Sequence, residues 1–148
     1  MFFLKELPSR QMVEGYADRF DAVDPGKVLE ALHTMRTASR LIRDLEAYFA
    51  RHDLSQLRFL ALIVIDREPD RDSLTVSDIA DRLDVSRPVV TRTLQSLEKA
   101  GLIKISQSES DARSRNVSLS ESGKTTLESV LPGYFAILHS LPATGTDG

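Results

Sequence analysis

The chain has 148 residues, 41% hydrophobic and 28% charged, with a formal net charge of −3 and no cysteine. That length suits one compact domain or a small domain with helical arms, and the missing cysteines exclude a disulfide framework, thiolate metal sites and a thiol redox switch. The longest apolar run, Phe59 to Ile65, is too short to span a bilayer, and the apolar start MFFLKELPSR lacks the flanks of a signal peptide, so the expected compartment is the cytoplasm with no membrane partner.

Ser9 is a predicted N-cap for a helix to about Phe20, with Met12, Val13, Tyr16 and Phe20 on one face. Asp24-Pro25 is a second start signal. A long helix to about Arg51 should follow, because Val28, Leu32, Met35, Ile42, Leu45 and Phe49 recur at three- and four-residue steps. Arg36, Arg40 and Arg43 form a basic stripe on another face. A helix of this length needs a partner, so it is read as part of a dimer interface or a bundle. After Ser55, SQLRFLALIVIDRE fits either a buried strand or a helix ending near Arg67. The helix is preferred because its neighbours are helical and no pairing strand is evident.

Thr75 and Asp78 have capping-box spacing and open a short helix to Leu83, whose buried face is Val76, Ile79, Ala80 and Leu83. Asp84-Val85 is the turn. Ser86 is a predicted cap for the next helix, and Pro88 fits in its first turn. Val90, Leu94, Leu97 and Gly101 share one side of that helix, while Pro88, Thr91, Arg92, Gln95 and Lys99 share the other. Leu102–Gln107 and Arg115–Leu119 alternate in polarity and should pair as a hairpin around the loop Ser108–Ser114. Ser120 caps a last helix that Pro132-Gly133 should kink or break. YFAILHSL is a further helical piece, and PATGTDG reads as a disordered tail.

Two short helices, a tight turn and a polar hairpin make the order of a winged helix-turn-helix, with one helix for the DNA major groove and a wing beside it. The charge distribution agrees. Arg82 to Arg115 holds seven Lys/Arg and four Asp/Glu, whereas the remainder holds twelve and eighteen. Arg92 can donate two hydrogen bonds to guanine and Gln95 can pair with adenine. Ser86 and Thr91 can reach phosphates or bases at a helix N-terminus, alongside Arg87 and Pro88. Arg113 and Arg115 supply the wing, and Arg113 suits a narrow minor groove, with Asp111 able to hold an arginine in place. The competing reading is a winged-helix module that binds protein without DNA. Such a face would expose apolar anchors, which Thr91, Arg92 and Gln95 are not.

Residues 54 to 131 resemble the multiple antibiotic resistance regulator (MarR) family of bacterial transcription factors. The resemblance is carried by VSDIADRLDVSRPVVTRTLQSLEKAGLI and by the wing DARSRNVSLSESG, where Asp111, Arg113, Leu119, Ser120 and Gly123 follow the family pattern with Ser120 in place of Thr. It implies an α+β, mainly helical fold, in which a long N-terminal helix and a C-terminal helix form the dimerisation region. The domains would be residues 1–54 (dimerisation arm), 55–120 (winged domain) and 121–148 (C-terminal helix and tail). It further implies a homodimeric repressor on a pseudo-palindromic operator of double-stranded DNA. Thr91 and Arg92 match the family's major-groove positions and Arg113 its wing residue. The family is often released from DNA by a small aromatic acid bound between the dimerising helices and the winged domain. Here that region would involve Tyr48, His52, Arg58 and Phe59, with Arg58 facing a carboxylate. The chain departs from the family at its ends. Only 28 residues follow Ser120, and an extra helix precedes the long one, so that helix is expected to take over part of the dimer packing.

No cofactor or metal is expected. Glu30 and His33 have a helical spacing that could suit a metal, but a surface pair is the plainer reading. No phosphate loop, cysteine nucleophile or Ser-His-Asp context points to an enzyme.

Overall fold

The computed structural model describes residues 2, 4–68, 71–107 and 113–141. Over these residues the order is α1 (Arg10–Ala17), α2 (Pro25–Ala50), α3 (Gln56–Asp66), β1 (Leu74–Thr75), α4 (Val76–Arg82), α5 (Arg87–Lys99), β2 (Ile103–Gln107), β3 (Arg115–Leu119) and α6 (Glu121–His139). The fold is mainly helical with a small antiparallel sheet, as expected. Two compact units are built on Met1–Leu45 and Glu46–Pro142. Among the described residues, no helix is long and apolar enough to cross a membrane.

In the amino-terminal unit, the Ser9 hydroxyl accepts the Met12 amide at 3.2 Å and starts α1. The helix stops at Ala17, short of the expected end near Phe20, and the Asp18 and Phe20 amides turn back onto the Glu14 and Tyr16 carbonyls. Val13 alone of its apolar face is buried, while Met12, Tyr16 and Phe20 are 63%, 58% and 52% exposed. The Arg19 guanidinium lies 5.8 and 5.4 Å from the Tyr16 and Phe20 ring centres. The start of α2 follows from Asp24, whose Oδ1 accepts the Gly26 and Lys27 amides at 2.9 and 3.2 Å.

The second unit carries the principal core. The run Phe59–Ile65 is helical, and Phe59, Ala61, Leu62, Val64 and Ile65 are all buried. A helix that is apolar on nearly every side must be covered on nearly every side. Here the cover includes the Phe49 and Tyr134 rings, centred 4.5 and 4.6 Å from Phe59. Ile79 of α4, Val90, Leu94 and Leu97 of α5, and Leu127 and Val130 of α6 complete it.

The sheet has the order β1-β3-β2, all antiparallel. β2 and β3 pair as the alternation predicted, with Ile103 opposite Leu119 and Ile105 opposite Val117. β1 was not anticipated. It sets Leu74 opposite Val117 and Thr75 opposite Asn116, and a two-residue strand has no alternation to read.

Two glycines and a serine join α5 to α6. Gly101 ends α5 at φ +76°, where a side chain would be strained. Its carbonyl accepts the Ser120 hydroxyl at 2.6 Å, and the Ser120 oxygen accepts the Gly123 amide at 3.0 Å. A Cβ at position 123 would overlap the Leu102 carbonyl, so Gly123 permits this close approach.

The expected break at Pro132 does not occur: α6 is continuous from Glu121 to His139 and includes YFAILH. Pro132 cannot supply the amide that would bond the Glu128 carbonyl, but Glu128 and Pro132 are both exposed, so water can replace it. The neighbouring Val130 carbonyl gains the Tyr48 hydroxyl at 2.8 Å. Gly133 makes room for that tyrosine, since a Cβ there would collide with its ring and hydroxyl. The tail PATGTDG lies outside the described residues.

Candidate nucleic-acid interface

The helix-turn-helix begins with a complete capping box. The Thr75 hydroxyl accepts the Asp78 amide at 3.1 Å, and Asp78 Oδ2 accepts the Thr75 amide at 3.0 Å. Hydrogen bonding by the Thr75 backbone, then its side chain, together with the Arg71 guanidinium, holds the Asp78 carboxyl below its ordinary range. α5 opens at Ser86 with Pro88 in its first turn. Ser86 holds the N-cap position, but its hydroxyl makes no capping bond. The expected side-chain cap is therefore corrected: the helix starts by backbone geometry and by the proline, whose fixed φ suits the first turn.

α5 divides its faces as the periodicity required. Val90, Leu94 and Leu97 are at most 1% exposed. Ser86, Arg87, Pro88, Thr91, Arg92, Gln95 and Lys99 are all exposed. The buried face fixes the helix against α3 and the sheet, so the polar face is presented on a rigid element.

Thr91 and Gln95 line a groove of about 280 Å³ with Arg113, Ser114 and Arg115 of the wing and Thr75 and Ser77 at the start of α4. No carboxylate is among the described residues that line it. Arg115 starts β3 opposite Gln107, so sheet register fixes its place beside α5. Arg113 and Arg115 also border a second cavity with Glu98, Ser106 and Gln107. Arg87, Pro88 and Arg92 of α5, and Ser86 at its N-cap, lie outside both linings. Asp111 lies outside the described residues.

Sequence reasoning missed Thr75, Ser77 and Ser114 as groove residues. The capping pattern marked Thr75 as a helix start, but it could not show that this start faces the wing. β1 pairing with β3 brings them together.

The residues named for a small ligand have other occupations. The Tyr48 hydroxyl donates to Val130, its ring lies 4.9 Å edge-on from His52, and the Arg51 guanidinium sits 5.6 Å from its centre. Phe59 is fully buried in the aromatic core. Arg58 Nη1 donates to the Asp53 carbonyl at 2.9 Å, in the turn where Asp53 takes φ +56°. Arg58 Nε is buried with no partner among the described residues. Nor do the described residues include a cluster of three or more groups able to hold a metal.

A family model described as the MarR family matches residues 52–114. The HTH-type transcriptional repressor YetL of Bacillus subtilis is 26% identical over 144 residues, covering 97% of this chain and 86% of that protein. The crystal structure of AbsC, a MarR family transcriptional regulator from Streptomyces coelicolor, superposes with a TM-score of 0.74 at 21% identity, over 79% of this chain and 78% of that one. The S. aureus MepR–DNA complex gives 0.69 at 22% identity, over 78% and 84%. These two likenesses show the shared fold.

Proposed function

We propose that this chain, whose residues 52–114 match a MarR family model, is a winged-helix, homodimeric transcriptional repressor of that family acting on a pseudo-palindromic operator. The observation that carries this reading is the groove between α5 and the wing, where hydroxyl, amide and guanidinium groups stand beside Val76, Leu94 and Ile105, with no carboxylate among the described residues that line it. In the proposal α5 enters the major groove. Arg92 and Gln95 meet base edges, and Thr91 meets a base or phosphate. Ser86, with its hydroxyl uncommitted to capping, and Arg87 and Pro88 face the phosphate backbone at the helix start. Arg113 and Arg115 follow the backbone or the minor groove, with Asp111 as an orienting partner for an arginine. Residues 55–120 would form the winged domain, and the helices on either side would join two copies.

The exposed apolar side chains Met12, Tyr16, Phe20, Met35 and Ile42 support a paired state, since covering them would be favourable. Repression is proposed from the likeness to YetL. A small aromatic acid is the proposed effector, with Arg58 Nε, unpartnered among the described residues, as the donor that would meet its carboxylate. Tyr48, His52 and Phe59 would line its surroundings. A thermal-shift screen of such acids tests that part.

The decisive experiment is selection of bound sites from random duplex, followed by titration of affinity against salt. An enriched inverted repeat and a steep loss of affinity with salt are expected, because phosphate neutralisation releases counterions. Absence of duplex binding even at low salt would refute the reading.

A further inference from the structure

A connected set of charges lies away from the groove between α5 and the wing. Glu68 follows α3, and its side chain is 15% exposed. One carboxylate oxygen lies 2.9 Å from Arg82 Nη1 and the other 3.9 Å from Arg71 Nε. Arg71 Nη1 continues to Asp78 Oδ2 at 3.1 Å. That same Asp78 oxygen accepts the Thr75 amide at 3.0 Å. Thr75 is in turn the register partner of Asn116 on β3. The charges therefore run from the end of α3 to both ends of α4, and from there to a wing strand.

α4 needs such support. It has seven residues, and only Ile79 among them is fully buried. One fully buried residue, with Val76 and Ala80 only half-buried, fixes the distance of a short helix from its neighbours but leaves its rotation loosely set. Contacts at both ends remove that freedom. Partly exposed ion pairs contribute little to global stability, but a mostly buried carboxylate held between two guanidiniums restricts geometry. α4 leads through the turn directly into the start of α5, where the outward residues stand.

We propose that Glu68 is a positioning residue for operator recognition, bracing α4 through Arg82 at one end and through Arg71 and Asp78 at the other. The brace sets the orientation in which α5 presents Thr91, Arg92 and Gln95. Glu68 itself does not touch DNA. It borders a different cavity, with Arg71, Ser118 and Lys124, and none of the residues lining that cavity lines the groove beside α5.

The inference rests on the DNA-binding reading above, and its test separates the two. Glu68→Gln in the full chain is measured against a selected operator and a random duplex over a range of salt. Operator affinity should fall about tenfold, the scale of one well-made base contact. Random-duplex affinity and its salt slope should stay at wild-type values, since every phosphate contact is kept. Arg82→Gln should give the same pattern, and the double variant should lose no more than either single change, because the residues act through one contact. Equal losses on operator and random duplex would overturn the proposal in favour of a general folding role, as would unchanged operator affinity. Failure of the wild type to bind any duplex would instead remove the DNA-binding reading itself.

Discussion

In the unit Glu46–Pro142 the large apolar side chains close on one another. Phe49, Phe59, Leu62, Leu94 and Leu127 are at most 1% exposed. In the unit Met1–Leu45 the pattern is reversed. Leu4, Met12, Tyr16, Phe20, Met35 and Ile42 stand 42–63% exposed, with Val13 and Leu45 buried. Both units have well-formed helices, most of them with side-chain caps at their starts. The difference teaches that helix formation and core formation are separate demands. The second unit satisfies both, although Phe135 remains open on α6 at 55%. The first satisfies the local demand and leaves an apolar surface that a partner would cover.

The largest expected effect is a break in the closed core. Phe59→Ala removes a ring that stacks on Phe49 and packs tilted against Tyr134 and should cost about 3–5 kcal/mol in denaturant unfolding. A cost under about 1 kcal/mol would mean that the unit does not rest on this cluster. Next is Gly123→Ala, where the new methyl meets the Leu102 backbone. Overpacking against backbone should cost about 3 kcal/mol, whereas Gly15→Ala in α1, with open space around it, should be neutral or slightly stabilising. Equal effects at the two glycines would erase the contrast between the units.

Arg92→Ala leaves both units folded and should weaken operator binding by about 1–3 kcal/mol, relaxing base preference at one position. Arg113→Ala should weaken binding with less effect on major-groove specificity, and site selection on both variants separates the two roles. Thr75→Ala removes one half of the capping box and should cost about 1 kcal/mol. The Asp78 half has an acid signature. Its carboxyl titrates below its ordinary range in the folded chain, so its contribution is present above the ordinary carboxylate value and is lost as pH falls through the lowered one. Asp78→Asn should flatten that part of the stability–pH curve. The smallest effect on stability is expected in the open unit. Tyr16→Lys combined with Phe20→Lys should change unfolding of dilute protein by no more than about 0.5 kcal/mol, yet lower the mass seen by light scattering. An unchanged dimer mass would show that this surface joins nothing.

Much of α5 was legible in the sequence because each of its signals is local. Pro88 in the first turn, the three- and four-residue spacing of Val90, Leu94 and Leu97, and Gly101 after the last turn all act within a few residues of themselves. The same holds for Thr75 with Asp78 and for Ser120 with Gly123. At the carboxy-terminal helix the reading went astray because a distant residue decided the outcome. Pro132 signals a break by every local rule, but Tyr48, 82 positions from Val130, bonds the Val130 carbonyl beside it, and Gly133 admits its ring. Ser86 signals a side-chain cap that the structure does not make. Phe20 follows the helical spacing but falls beyond the end of α1.

By itself the sequence determined which segments are helical, which face of α5 is apolar, and where the wing strands alternate, because periodicity and capping are short-range physics. The tertiary structure alone decided which of those faces meet. Pairing of β1 with β3 brought the start of α4 beside the wing, and the fold carried Glu68 to Arg82 and Arg71 to Asp78. Such neighbours depend on how whole elements pack, and packing leaves no period in the chain to read.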